Sequence, residues 1–80
     1  MKILGELQYK ILEVLSDGEW HTEGEVWAKT WASNTQLKHS LQSLQNKGYI
    51  IIKNNKLKIT LRGLSMYKRN KLIQEKLLGD

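Results

Sequence analysis

The sequence predicts an α+β fold, mostly α: a three-helix core, a two-stranded β-hairpin and a final helix, in one small domain. Three observations predict it. Apolar residues recur at three- and four-residue steps in three segments; one stretch of β-branched and alternating residues surrounds Asn54-Asn55; and capping or turn residues separate the segments and open a further short helix. Eighty residues lie near the size at which a single apolar core suffices. No linker, internal repeat or low-complexity run divides them. Residues 1–61 form the core with its hairpin, and residues 62–80 the last helix.

Each element follows from local signals. Leu4, Leu7, Ile11, Val14 and Leu15 form one stripe of an amphipathic helix over residues 3–16, and Asp17-Gly18 ends it. "EWH" is long enough only for a turn or a stub of strand. Thr22 with Glu25 makes a capping box that opens a short helix reaching Thr30 or Trp31. His21 and Val26 stand at its hydrophobic-staple positions, so His21 is assigned a structural role. Ser33 with Gln36 makes a second box, and the helix it opens runs to about Lys47, where Gly48 supplies a left-handed terminator. Two helices joined by so short a turn form a helix-turn-helix arrangement. Residues 49–53 and 56–61 are strands around an Asn-Asn turn, with Leu57, Ile59 and Leu61 inward and Lys56, Lys58 and Thr60 outward. Tyr49 belongs to the core or the hairpin base. Thr60 then caps the last helix.

Charge is divided along the chain. Residues 1–25 carry two lysines and six acids, a net of −4, whereas residues 26–74 carry eight lysines, Arg62 and Arg69 and no acid, a net of +10. Such a split predicts one basic face and, for a partner, a polyanion such as a phosphate backbone. There is no cysteine, and His21 and His39 are too far apart in sequence to suggest a metal pair, so no metal or other cofactor is expected. No apolar run approaches the roughly 20 residues of a membrane span, and nothing resembles a signal peptide, so a cytoplasmic protein without a membrane partner is expected. No Ser–His–acid grouping or phosphate-binding loop stands out, which argues against an enzyme.

The third helix carries the functional signal. Leu37, Leu41 and Leu44 make its buried stripe; at 100° per residue the opposite side carries Thr35, His39, Gln42 and Asn46, flanked by Gln36, Lys38 and Ser43. Amides donate and accept, as reading a base edge requires, and no carboxylate is present to repel phosphate. The hairpin adds Lys53, Asn54, Asn55, Lys56 and Lys58, which suit a DNA backbone or an adjacent minor groove and also guard a strand edge against aggregation.

The order of elements resembles a winged helix-turn-helix domain over about residues 7–67. From Ser33 onward, Leu37, Leu41, Leu44, Gly48 and Ile50 match the family pattern S-x-x-T-V-x-x-x-L-x-x-L-x-x-x-G-x-I, and "KITLRG" is similar to the strand-to-helix ending L-T-x-x-G of small bacterial and archaeal winged-helix regulators. By position, the resemblance implies a recognition helix with Ser33, Asn34, Thr35, Gln36, Lys38, His39, Gln42, Ser43 and Asn46 as its DNA-facing residues, and Lys53 to Lys58 as the wing. His39 stands where the family often has arginine, and the wing has none.

Two further patterns bear on partners. Trp20, Trp27 and Trp31 cluster around the second helix; in a chain without phenylalanine they are expected to be buried near the first helix, the other use being stacking on unpaired bases. On the last helix Met66, Asn70, Ile73 and Leu77 step at heptad spacing, which suggests a homodimer interface, with Leu61, Leu64 and Tyr67 holding the helix to its own domain; a stripe folded back on the core is the other reading. The expectation is a dimeric, sequence-specific regulator of double-stranded DNA, most simply a repressor. The alternatives are a winged-helix protein-interaction module within a larger assembly and a sequence-indifferent architectural DNA binder.

Overall fold

A computed structural model describes residues 4–78, with side chains as far as Ile73. The elements are α1 (Glu6–Leu15), β1 (His21–Thr22), α2 (Glu23–Thr30), α3 (Asn34–Asn46), β2 (Ile50–Lys53), β3 (Lys56–Ile59) and α4 (Leu61–Leu78). This is a winged-helix fold. The sheet has three antiparallel strands in the order β1-β3-β2, because the stub before α2 pairs with the hairpin: His21 faces Leu57 and Thr22 faces Lys56.

Most local signals act as their chemistry requires; the box expected at Thr22 is half made, since Thr22 caps the helix while the Glu25 carboxylate bonds His21. Thr22 Oγ1 accepts from the Glu25 N–H at 3.1 Å, and Ser33 Oγ from the Gln36 N–H at 3.2 Å, while Gln36 Oε1 accepts in return from the Ser33 N–H. The Asn54-Asn55 turn has positive φ at both residues (51° and 64°), the geometry of a two-residue hairpin whose twist matches its strands. α3 ends where Gly48, at φ 78°, lets the Tyr49 N–H donate to the Leu44 carbonyl at 2.9 Å.

One junction fixes the wing and α4 to the end of α3. Thr60 Oγ1 donates to the Gly48 carbonyl at 2.7 Å and accepts from the Gly63 N–H at 3.0 Å, while the Thr60 N–H donates to the Tyr49 carbonyl at 3.0 Å. α4 approaches so closely that a Cβ at Gly63 would lie 2.0 Å from the Tyr49 carbonyl oxygen. The threonine and glycine of "TLRG" are therefore one device: a cap bonded across to the neighbouring element, and a gap that admits that element's backbone.

The core joins Ile11, Leu12 and Leu15 of α1, Val26 of α2, Leu37, Leu41 and Leu44 of α3, Ile50, Leu57 and Ile59 of the sheet, and Tyr67 of α4. Tyr49, at the wing base, is buried with them, and Tyr67 stacks on Tyr9 with ring centroids 5.3 Å apart. Three expectations fail here. The tryptophans are exposed, Trp31 by 89%, because α2 turns only Val26 and Thr30 inward and Trp31 caps it in the left-handed conformation. Leu61 is 87% exposed at the start of α4, so that helix is held by Tyr67 and the half-buried Leu64 without it. Asn70, expected on an intersubunit seam, is only 1% exposed within its own subunit. Its Oδ1 accepts from the Leu4 N–H at 2.9 Å and its Nδ2 donates to the Met66 carbonyl at 2.9 Å. Met66 packs against the same core, Ile73 is half-buried, and the Leu77 side chain lies outside the described residues. Helical periodicity marked a face correctly but not what covers it.

His21 secures β1. Its Nδ1 lies 2.8 Å from Glu25 Oε2, and its Nε2 lies 2.9 Å from Asp17 Oδ1. Two carboxylates on two ring nitrogens require both nitrogens to donate, which only the imidazolium can do. The hydrogen bond to Asp17, then that to Glu25, raises the His21 pKa against an opposing cost of desolvation. Hydrogen bonding to His21 correspondingly lowers the pKa of both carboxyls.

This packing has measurable consequences. Gly63→Ala should destabilise the domain by about 2–3 kcal/mol, seen as a lower urea midpoint with little change in m, because the added methyl meets backbone. The raised His21 pKa gives stability that is complete below its unfolded value of 6.5 and is lost as pH rises through the folded value. The lowered carboxyls lose theirs as pH falls through their own folded values. The melting temperature should therefore be higher near pH ~5.5 than at pH ~8. His21→Gln should flatten that difference; an unchanged profile in the variant would remove His21 as its source.

Candidate nucleic-acid interface

The acid-free face of α3 is uncovered. Asn34, Thr35, Lys38, His39, Gln42 and Asn46 are all exposed, while Leu37, Leu41 and Leu44 on the other side are buried. Gln42 Nε2 donates to Asn46 Oδ1 at 3.3 Å, so the two amides of the last turns are already paired along the helix surface. Each keeps unused donor or acceptor capacity for a base edge.

Three residues expected on this face have structural duties. Ser33 and Gln36 are exposed, but their side chains form the capping box that starts the helix. Ser43 is half-buried, and its Oγ accepts from Gln8 Nε2 of α1 at 3.2 Å. It faces α1 and is removed from the groove-reading set. The hydroxyl's short reach suits a helix–helix contact, which periodicity alone does not distinguish from exposure.

The wing is basic and open. Lys53, Asn54, Asn55 and Lys56 are exposed; Lys58 is half-buried, with its Nζ 5.6 Å from the centroid of the Trp20 ring. Lys53 and Lys56 are cross-strand partners, so their like charges stand together next to the turn. That arrangement opposes edge-to-edge strand pairing and favours an anion.

Trp27 was not among the residues expected at this surface. It lines an open groove of about 340 Å³ between α2 and α3 with Glu23, Gly24, Asn34, Leu37 and Lys38. Its ring thus lies beside two residues of the α3 polar face. The clue in the sequence is that Trp27 follows Val26: with Val26 inward, the next residue is turned about 100° toward solvent. Among the described residues, no group of three His, Cys, Asp or Glu could hold a metal ion, and no helix is long and apolar enough to cross a membrane.

No protein-family model matches the sequence, and no curated protein is detected as a relative. The fold is similar to two solved structures of NadR. Ligand-free NadR matches with a TM-score of 0.77 and 18% identity, and NadR in complex with 4-hydroxyphenylacetate with 0.73 and 19%. In both cases the match covers 95% of this chain and 64% of the NadR chain, so the chain spans less than two thirds of the length of these structures. At that identity the likeness is one of fold: the chain has the winged-helix architecture of NadR.

Proposed function

We propose that this chain binds double-stranded DNA sequence-specifically as a transcription regulator, with α3 in the major groove and the wing lysines on the backbone. The observation that carries this reading is the exposed α3 face of amides, hydroxyl, histidine and lysine, without a carboxylate, followed directly by a lysine-bearing hairpin. NadR, whose fold it shares, is a transcription regulator, which supports the same reading. Asn34, Thr35, Lys38, His39, Gln42 and Asn46 are the groove-facing set; Lys53, Asn54, Asn55, Lys56 and Lys58 serve the wing.

In this reading the regulator acts as a dimer and as a repressor. With Asn70 and Met66 facing their own core, the second copy would seat on the distal part of α4, where Leu72 is exposed. Two copies on one face of the duplex place their half-sites about one helical turn, ~34 Å, apart. A second reading, a winged-helix protein-interaction module, is favoured by the exposure of Trp27 and Trp31, since aromatic residues are enriched at protein interfaces.

Selection of duplexes from a random pool, followed by titration against the selected and a scrambled sequence, tests these readings. A regulator prefers the selected duplex by several kcal/mol, whereas an interaction module binds neither usefully and an architectural binder takes both alike. Gln42→Ala and His39→Ala should each cost about 1–3 kcal/mol on the selected duplex and much less on the scrambled one; equal losses on both would contradict a reading role. Lys56→Ala combined with Lys58→Ala should weaken both duplexes alike and reduce the salt slope by about one for each phosphate no longer neutralised.

A further inference from the structure

The register of the sheet sorts its side chains onto two faces. Leu57 and Ile59 of β3 and Ile50 of β2 face the core. On the other face, Thr22, Lys56 and Lys53 lie in one row across the three strands, since Thr22 and Lys53 both pair with Lys56. Lys58 and its partner Ile51 lie in the next row, which Trp20 extends by placing its ring beside the Lys58 ammonium. Trp20 is 42% exposed and Ile51 47%, and none of these six residues is acidic. Trp20 also lines an open groove of about 330 Å³ with Lys53, Asn54 and Lys56, so the aromatic ring and the wing-tip cations border one space.

Cations and apolar groups stand side by side on this face: Trp20, Lys58 and Ile51 alternate along one row, and Lys56 and Lys53 lie in the next. Neighbouring strands lie about 4.8 Å apart, and same-face residues along a strand about 7 Å. A nucleic-acid backbone alternates phosphate and deoxyribose on a comparable scale. The isoleucine and tryptophan expose apolar surface directly beside the lysines, and those lysines select a polyanion as the partner of this face. The ammonium of Lys58 already occupies the space over the Trp20 ring, which disfavours stacking of a base there and favours a sugar against the ring edge with its phosphate on the lysine.

We propose that the solvent face of the three-stranded sheet is a second DNA surface, continuous with the wing, on which Trp20 and Ile51 pack against deoxyribose while Lys53, Lys56 and Lys58 hold the flanking phosphates. This rests on the DNA-binding reading and extends it: the duplex runs along the flat of the wing as well as past its tip, so the protein covers base pairs outside those that α3 reads. Trp20 and Ile51 become affinity determinants that carry no sequence information.

The test uses the full chain, the selected duplex in its shortest bound form, and the same duplex lengthened by about one helical turn on each side. Trp20→Ala and Ile51→Ser should each weaken binding to the long duplex by about five- to tenfold, the scale of one or two buried methylene groups, and leave the short duplex unchanged. In a Trp27→Phe/Trp31→Phe background, emission from Trp20 should change on adding the long duplex and not the short one. Ile51 points away from the core, so Ile51→Ser keeps the test valid if Trp20→Ala lowers the melting temperature. Wild-type binding of the selected duplex with Ile51→Ser indistinguishable from it at both lengths, and no response from Trp20, would overturn the proposal while leaving the α3 reading intact. Failure of the unaltered protein to bind any duplex would remove both.

Discussion

The relation between α3 and the wing depends on one junction, where Thr60 meets the end of α3. Its hydroxyl donates to the Gly48 carbonyl and accepts from the Gly63 N–H, while its own N–H donates to Tyr49. The residue that ends the hairpin and caps α4 is thus also bonded to the terminator of α3. A helix end normally leaves carbonyls without intrahelical partners, and here the carbonyl just past that end is used to join elements. Without Cβ at Gly63 the α4 backbone closes onto Tyr49, and the gap between helix and wing shuts. The consequence is functional: an exposed helix and an exposed hairpin can address one ligand only if their mutual orientation is fixed.

A second anchor works on the opposite edge of the sheet. β1 is only two residues long and would not persist alone, yet it pairs with β3 and its histidine is gripped from both sides by Asp17 and Glu25. The acids of the first part of the chain therefore have a structural use beside the basic face: they hold a positive ring at the sheet edge and set its charge. The pH dependence of the wing's support arises there, through His21 and its two carboxylates.

What was legible in the sequence was what is decided within three or four residues. The Thr22 cap, the Ser33–Gln36 capping box, the Gly48 terminator, the Asn-Asn turn and the Thr60 cap are each a bond between near neighbours, so residue type and spacing suffice to identify them; the box expected at Thr22 is half made, because the Glu25 carboxylate goes to His21. The leucine stripe of α3 and the openness of most of its other face were legible for the same reason. What was not legible was the identity of the neighbour across a face. Met66 and Asn70 formed a convincing seam pattern, but the partner is the backbone at Leu4 and the domain's own core. Ser43 looked like part of the polar face until α1 brought Gln8 to it. The tryptophans were assigned to the interior on bulk, whereas leucines, isoleucines and tyrosines fill that space and the indoles remain outside. The strand stub could be suspected from "EWH", but its pairing with β3, and hence the row from Trp20 to Ile51, depends on register set by residues more than thirty positions away.

The amide of Asn70 has a mechanical meaning. By accepting from Leu4 just ahead of α1 and donating back to its own helix at Met66, it pins the first helix to the last at a point away from the wing. α1 in turn packs on α3. A displacement of α4 at Asn70 would therefore bear, through a short and directional bond, on the segment leading into α1 and so on the helix against which the groove-facing element packs.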